Sequence, residues 1–250
     1  TASYKNIPML ARTHGQPAAP TTYGKEMAVY KRRLSNELNL LKNFKLHAKL
    51  NGNVGNFNAH TFVFPDINWI AFSKSFVSSF GFVPNLVTTQ IEPYDGYIYL
   101  FQMFMRINNI LNGLCKDIWM YAMLGYCDQK VLKKEVGSTA LPHKINPIYF
   151  EGAEGGFGIA NALFAFYVEK LGHSRLQRDL SDSTVRRSFA IAFAYSLLSY
   201  QSVREGLDRI IPNKIKMEED LNAHFEVLSE AVQNILKAGG IKEAYQKAKD

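Results

Sequence analysis

The chain has 250 residues, 47% of them hydrophobic and 20% charged, which is enough to bury a full core and excludes a disordered polar chain. Twenty-nine basic and 22 acidic residues leave a net charge of +7. The charges are scattered instead of gathered into one arm, so nucleic-acid binding gains little support, and cations converging on a small polyanion account for the excess equally well.

The opening Thr1-Ala2-Ser3-Tyr4-Lys5 has no apolar leader and no initiator Met, so the sequence reads as a fragment without a signal peptide. Pro17 and Pro20 flank a short turn, and a long helix is predicted over 21–50. There Met27, Tyr30, Leu34, Leu38, Leu41 and Leu46 recur mostly at steps of three or four. About 30 residues at 1.5 Å each make a rod of roughly 45 Å, a length that belongs to helical bundles. Asparagines and glycines at 51–56 break the pattern. A shorter helix is predicted over 66–80, with Asp66 as N-cap and Gly81 and Pro84 ending it.

A second long helix is predicted over 93–125, apolar nearly all round and therefore buried on all sides. Arg106, Asn108, Asn109, Asn112, Lys116 and Asp117 interrupt it, which argues against a membrane span. Such a helix needs more neighbours than this chain offers, and self-association would supply them. Cys115 and Cys127, both in apolar runs read as helical, fit buried thiols in a reducing compartment better than a disulfide.

Further helices are predicted over 148–171, 181–207 and 217–236. Gly155-Gly156-Phe157-Gly158 follows no strand, so helix packing is the reading over a nucleotide loop. With no strand run and no internal repeat, the fold class is all-α. A boundary at Ile211-Pro212-Asn213 divides a central helical bundle, 1–212, from a small and incomplete C-terminal helical domain, 213–250.

Four polar islands interrupt this framework. His14, in Arg12-Thr13-His14-Gly15-Gln16-Pro17, is either an acid–base group titrating near neutrality or a turn residue capping the next helix. Thr88-Thr89-Gln90-Ile91-Glu92-Pro93 offers an amide and a carboxylate, or a helix cap. The run from Arg175 to Arg187 is either a solvated helix start laced with ion pairs or an anion cradle of Arg178, Ser183 and Arg187. Ser183 and Arg187, four apart, share one helical face, and guanidinium forks suit phosphate or carboxylate. Last, Gly137-Ser138-Thr139-Ala140-Leu141-Pro142-His143-Lys144-Ile145-Asn146-Pro147 sets a hydroxyl pair, a cation and an amide on a glycine-led, proline-bounded segment.

That last run resembles the signature loop of the fumarase/aspartase superfamily, usually Gly-Ser-Ser-x-Met-Pro-x-Lys-x-Asn-Pro, with six of eight fixed positions identical. Pro142-His143-Lys144, together with the other islands in the same order and with Asn51-Gly52-Asn53-Val54-Gly55-Asn56, resembles the adenylosuccinate lyase family, closest to its bacterial-type branch. The resemblance implies a long-helix bundle that assembles as a homotetramer, with active sites shared between subunits. It also implies a cytoplasmic enzyme of purine biosynthesis that eliminates fumarate from adenylosuccinate, giving AMP, and from the succinyl-carboxamide imidazole ribonucleotide.

On the same resemblance, Ser138 is the general base, activated by Lys144, and His14 the general acid, oriented by Glu151. Glu151 also reads as a carboxylate favoured at a helix N-terminus. The resemblance gives Lys144 and Asn146 the succinyl carboxylates, Thr13, Thr139 and Gln90 substrate hydrogen bonds, and Arg178, Ser183 and Arg187 the phosphate and a neighbouring carboxylate. Thr139 and Leu141 depart from the usual Ser and Met. It implies no metal, no cofactor, no nucleic acid and no membrane. Other lyases of the superfamily and a non-catalytic scaffold derived from one are the rival readings. The family's N-terminal domain and its extreme C-terminus are absent from these 250 residues, which are expected to lack full activity alone.

Overall fold

The computed structural model describes residues 4–130 and 145–249. The chain begins with a hairpin where the sequence analysis expected only a turn. Strand β1 (Pro8–Thr13) pairs antiparallel with β2 (Gln16–Thr22), from Pro8 opposite Thr22 to Thr13 opposite Gln16. Two prolines hid it from the pattern, yet a two-stranded ribbon is all edge and tolerates missing N–H donors. Ala11 faces Ala19 while Arg12 faces Pro17, so Ala18 is bulged.

Helix α1 (Tyr23–Asn43) is shorter than the 21–50 rod. The Asn43 amide turns back to donate to the Asn39 carbonyl at 2.8 Å, and Phe44 leaves the helical path to stack on Tyr99 with ring centres 5.8 Å apart. The chain then runs through β3 (His47–Ala48) to α2 (Asn58–Val63) and α3 (Trp69–Ser79). The N-cap of α3 is Asn68, not Asp66: its side-chain oxygen accepts the Ala71 N–H at 3.0 Å. Strand β4 (Val83–Pro84) lies parallel to β3.

Helix α4 (Asp95–Met123) fills most of the expected 93–125 span. Within one chain it is not covered all round: Trp119 and Met123 stand 43% and 66% exposed. Cys127 lies not in a helix but in β5 (Cys127–Gln129), which pairs antiparallel with β6. Helix α5 (Ile148–Leu171) matches its expected bounds.

The span read as one helix over 181–207 is two, α6 (Ser181–Arg186) and α7 (Phe189–Arg209). Ser188 causes the break, because its hydroxyl donates to the Val185 carbonyl at 2.7 Å and competes with the backbone ladder. Strand β6 (Ile210–Pro212) leads into α8 (Lys214–Asn222), a 3-10 turn over Phe225–Leu228, α9 (Ser229–Ala238) and α10 (Ala244–Lys249). Helix thus dominates the described residues, and the strands are three short pairs.

The chain divides into two compact units, each with its own core. Thr1–Arg33, Leu114–Phe150 and Arg204–Asp250 make the first, and Leu34–Gly113 with Glu151–Val203 the second. In the first unit Ile7, Met9, Tyr23, Tyr126, Cys127 and Met217 are buried together. In the second, Phe101 packs on Phe164 at 5.5 Å, with Tyr167, Leu171 and Ala192 around them.

A polar knot sits among these apolar contacts. Fully buried Asn108 on α4 donates to Asn161 on α5 at 2.9 Å and to Ser196 on α7 at 3.0 Å, and accepts from the Tyr200 hydroxyl at 2.5 Å. Gly156, in the glycine-rich part of α5, has no room for a side chain, since a Cβ there would lie 2.2 Å from the Ser199 hydroxyl. That agrees with the helix-packing reading of this run.

Candidate active-site elements

In the first unit the hairpin presents a histidine. His14 and Gly15 form the two-residue turn with φ of 53° and 77°, the left-handed pair of a type I′ hairpin. That geometry suits the right-handed twist of the two strands. It leaves Thr13, His14, Gly15 and Gln16 exposed. The helix-capping reading of His14 fails, because α1 begins nine residues later, at Tyr23.

Just behind the tip the hairpin is held by charge. Asp220 on α8 accepts from Lys216 at 2.8 Å and from the Tyr126 hydroxyl at 3.0 Å, with the Arg12 guanidinium 3.7 Å away. Burial alone would raise the Asp220 pKa, but these donors and cations outweigh it and hold the carboxyl below its ordinary value. Asn146, half-buried, lies just before α5 in the same unit. Ser138, Thr139 and Lys144 lie outside the described residues.

The second unit brings the 51–56 loop and the 88–93 island together around a lysine that the sequence analysis passed over. Lys49 gives its ammonium to three backbone carbonyls, of Gly52, Thr89 and Gln90, each at 2.8 Å. Beside it, buried Asn51 donates to the Leu86 carbonyl at 3.2 Å and to the Thr88 hydroxyl at 2.9 Å. Gly55 closes the seam at φ 88°, where a Cβ would come within 1.9 Å of the Thr88 carbonyl oxygen. The 51–56 loop and the 86–92 segment are therefore one locked body. Within it the Gln90 side-chain amide donates to Asn53 at 2.7 Å, so Gln90 is not a helix cap. The Glu92 carboxylate accepts from the Asn85 amide at 3.1 Å, and its second oxygen is buried without a hydrogen-bond partner.

The Gln90 N–H also bonds the Gln177 carbonyl at 3.3 Å, which sets the arginine island alongside. Within that island charged side chains pair with one another, as its ion-pair reading expected. Arg178 pairs with Asp182 at 2.8 Å, Arg186 lies 3.4 Å from the same carboxylate, and Tyr94 donates to it through a short hydrogen bond. Burial opposes ionisation of Asp182, yet the Tyr94 and Arg178 hydrogen bonds and the two guanidinium charges keep its pKa below the ordinary range. Asp179 accepts from the N–H groups of Arg175 and Ser181 and from the Ser181 hydroxyl. A recess of about 130 Å³ opens here, lined among others by Thr89, Tyr94, His173, Arg178 and Asp182.

Ser183 and Arg187 keep their four-residue spacing along α6, and Arg187, in helical conformation at its C-cap, is exposed. Glu151 lies in the first turn of α5, where the helix dipole favours a carboxylate. Among the sequence-derived site residues, then, the first unit carries Thr13, His14 and Asn146, and the second gathers Gln90 and Arg178, with Ser183, Arg187 and Glu151 elsewhere in it. Lys49, Asn53, Tyr94 and Asp182 were not anticipated. Only Asp182 left a readable signal, its i,i+4 spacing from Arg178. Among the described residues no cluster of three or more His, Cys, Asp or Glu side chains could hold a metal ion.

The chain is similar to known lyases along nearly its whole length. A family model described as "Lyase" matches residues 1–159, and one described as "Adenylosuccinate lyase C-terminal" matches 174–250. An adenylosuccinate lyase of Legionella pneumophila (strain Corby) is 47% identical over 247 residues, covering 99% of this chain and 54% of its own length. The Dictyostelium discoideum enzyme is 48% identical over 252 residues and that of Escherichia coli (strain K12) 42% over 247, with the same coverage. Among solved structures, a fumarate lyase from Mesorhizobium sp. BNC1 matches the fold with a TM-score of 0.77 at 18% identity, covering 99% of this chain and 55% of that one. The chain spans about half the length of the curated relatives it matches. With a family model covering more than half of it and this likeness along nearly its whole length, the chain belongs to the lyase family and is homologous to the adenylosuccinate lyases.

Proposed function

We propose that this chain carries the chemistry of an adenylosuccinate lyase, eliminating fumarate from adenylosuccinate to leave AMP and acting likewise on the succinyl-carboxamide imidazole ribonucleotide. The observation that carries the reading is 42–48% identity to adenylosuccinate lyases across 99% of the chain. The exposed hairpin-tip histidine and the arginine-lined recess support it.

In the proposed reaction Ser138 takes a proton from the succinyl carbon next to a carboxylate. Lys144 and nearby backbone donors stabilise its alkoxide. The electron pair left on carbon forms the double bond of fumarate as the C–N bond breaks. His14, oriented by Glu151, gives its proton to the departing nitrogen. Lys144 and Asn146 hold the succinyl carboxylates, where negative charge accumulates. Thr13, Thr139 and Gln90 bond the substrate, and Arg178, Ser183 and Arg187 receive the phosphate and a neighbouring carboxylate.

The proposed setting is a cytoplasmic homotetramer whose sites are completed by neighbouring copies, with residues 213–250 as a C-terminal helical domain. The nucleotide is the only ligand proposed. Among the described residues no helix is long and apolar enough to cross a membrane.

The test is Ser138→Ala in the full-length protein, followed by fumarate release from adenylosuccinate, with argininosuccinate as a parallel substrate. The variant is expected to lose turnover by about three orders of magnitude while nucleotide affinity stays within a few-fold. Unchanged turnover, or cleavage of argininosuccinate in preference, overturns the reading.

A further inference from the structure

The Lys49 ammonium has three protons, and the structure spends all three on backbone carbonyls. The acceptors belong to two separate stretches of chain: Gly52 in the asparagine–glycine loop, and Thr89 with Gln90 in the segment before α4. A half-buried cation with no carboxylate in hydrogen-bond contact among the described residues is an unusual arrangement, because water would solvate that charge better than three neutral oxygens do. Burial is the main influence on Lys49 and lowers its pKa, with the Glu92 carboxylate partly opposing the shift through space. A surface lysine making one ion pair would bear no such desolvation.

What the arrangement accomplishes is geometric. Gln90 lies between two restraints: its carbonyl is held by Lys49, and its side-chain amide by Asn53 at 2.7 Å, one residue beyond Gly52. Fixing the Gly52 and Gln90 carbonyls on one ammonium therefore fixes Asn53 relative to Gln90. Lys49 defines the direction in which the Gln90 amide is presented.

We propose that Lys49 is a positioning residue for the nucleotide site, acting through Gln90 without touching substrate. This rests on the reading of Gln90 as a substrate hydrogen-bonder. An ammonium meets three convergent carbonyls along three directions, whereas a guanidinium directs its donors in one plane and cannot span the same set. Arginine therefore does not replace lysine here, although it preserves the charge.

The experiment compares, in the full-length protein, wild type, Lys49→Met, Lys49→Arg, Gln90→Ala and the Lys49→Met/Gln90→Ala double variant for adenylosuccinate cleavage, with a thermal melt of each. Lys49→Met is expected to raise KM about tenfold, the loss of one well-placed hydrogen bond to substrate, with kcat within about threefold. Lys49→Arg, which should keep the fold, is expected to raise KM about fivefold. In the Gln90→Ala background, Lys49→Met should add less than about twofold, since the group it positions is already gone. Amide hydrogen exchange at residues 88–91 should quicken in Lys49→Met while the α4–α5–α7 core stays protected.

An unchanged KM in both Lys49 variants overturns the proposal, as does full additivity with Gln90→Ala, which would mark Lys49 as a general stabilising residue. Absence of turnover in the full-length wild type overturns the proposed function, and this inference with it. Normal wild-type turnover with unaffected Lys49 variants overturns this inference alone.

Discussion

Arg178, in the loop before α6, and Asp182 in its first turn lie 2.8 Å apart, with side chains only 17% and 10% exposed. An arginine proposed to bind phosphate is thus already committed to a carboxylate, which fixes its direction before any anion arrives. Removing Asp182 frees the arginine but leaves it undirected, and leaves the Tyr94 hydroxyl without its acceptor. Asp182→Asn is expected to lower stability by about 1–3 kcal/mol and to raise KM for adenylosuccinate more than it lowers kcat. Chemical denaturation together with steady-state kinetics checks both.

Asp182 and Asp220 also give stability a pH dependence of defined sign. Both carboxyls titrate below their ordinary range in the folded chain. Groups depressed on folding contribute stability that is fully present above the unfolded-state pKa, about 4, and lost as pH falls through the folded value. Unfolding free energy is expected to be flat from about pH 7 to 5 with respect to these groups, then to drop below about pH 4. In Asp182→Asn the acid-side drop should be shallower, which denaturation curves across that range would reveal.

The hairpin tip separates chemistry from backbone. Asparagine adopts left-handed φ more readily than most residues, so His14→Asn should keep the turn and the melting temperature within about 2 °C while abolishing fumarate release. Gly15→Val should instead strain the turn. At φ 77° a β-branched residue is a genuine outlier even though the space beside Gly15 is open. A loss of roughly 1–2 kcal/mol is expected, read by thermal melting.

Gly55 has neither freedom. It combines φ 88° with a carbonyl oxygen 1.9 Å from where a Cβ would stand, so Gly55→Ala must push the 51–56 loop away from Thr88. The expected cost is about 3 kcal/mol or more, with rapid amide exchange at Thr88 and Gln90.

Cys127 is 4% exposed, and burial, the largest influence, pushes its thiol up to about 11. Little thiolate exists at neutral pH. A thiol reagent at pH 7.5 is therefore expected to label Cys127 slowly, at the rate of local opening, and quickly in denaturant. Mass spectrometry of the labelled peptides follows this directly.

How far the sequence could be read depended on how local each determinant was. The bounds of α5 and the bulk of α4 were legible because long apolar runs end at proline and glycine. The hairpin was not, since Pro17 and Pro20 look like breakers until one sees that both strands are edges. The break at Ser188 depends on one hydroxyl choosing a carbonyl three residues back, a choice invisible to periodicity. Among the candidate site residues, residue types and order suggested His14, Gln90 and Arg178. Lys49 escaped notice because its three partners are main-chain oxygens, which any sequence supplies.

Asn108 has a mechanical consequence. One side chain binds acceptors on α5 and α7 and receives a donor from α7, so three rods share a single point of alignment. Sliding any of them by one turn would strand those protons in apolar surroundings, at about 1–3 kcal/mol for each orphaned group. The aromatic contacts around it would tolerate several offsets; the amide permits one, and in this way a greasy bundle acquires a vernier.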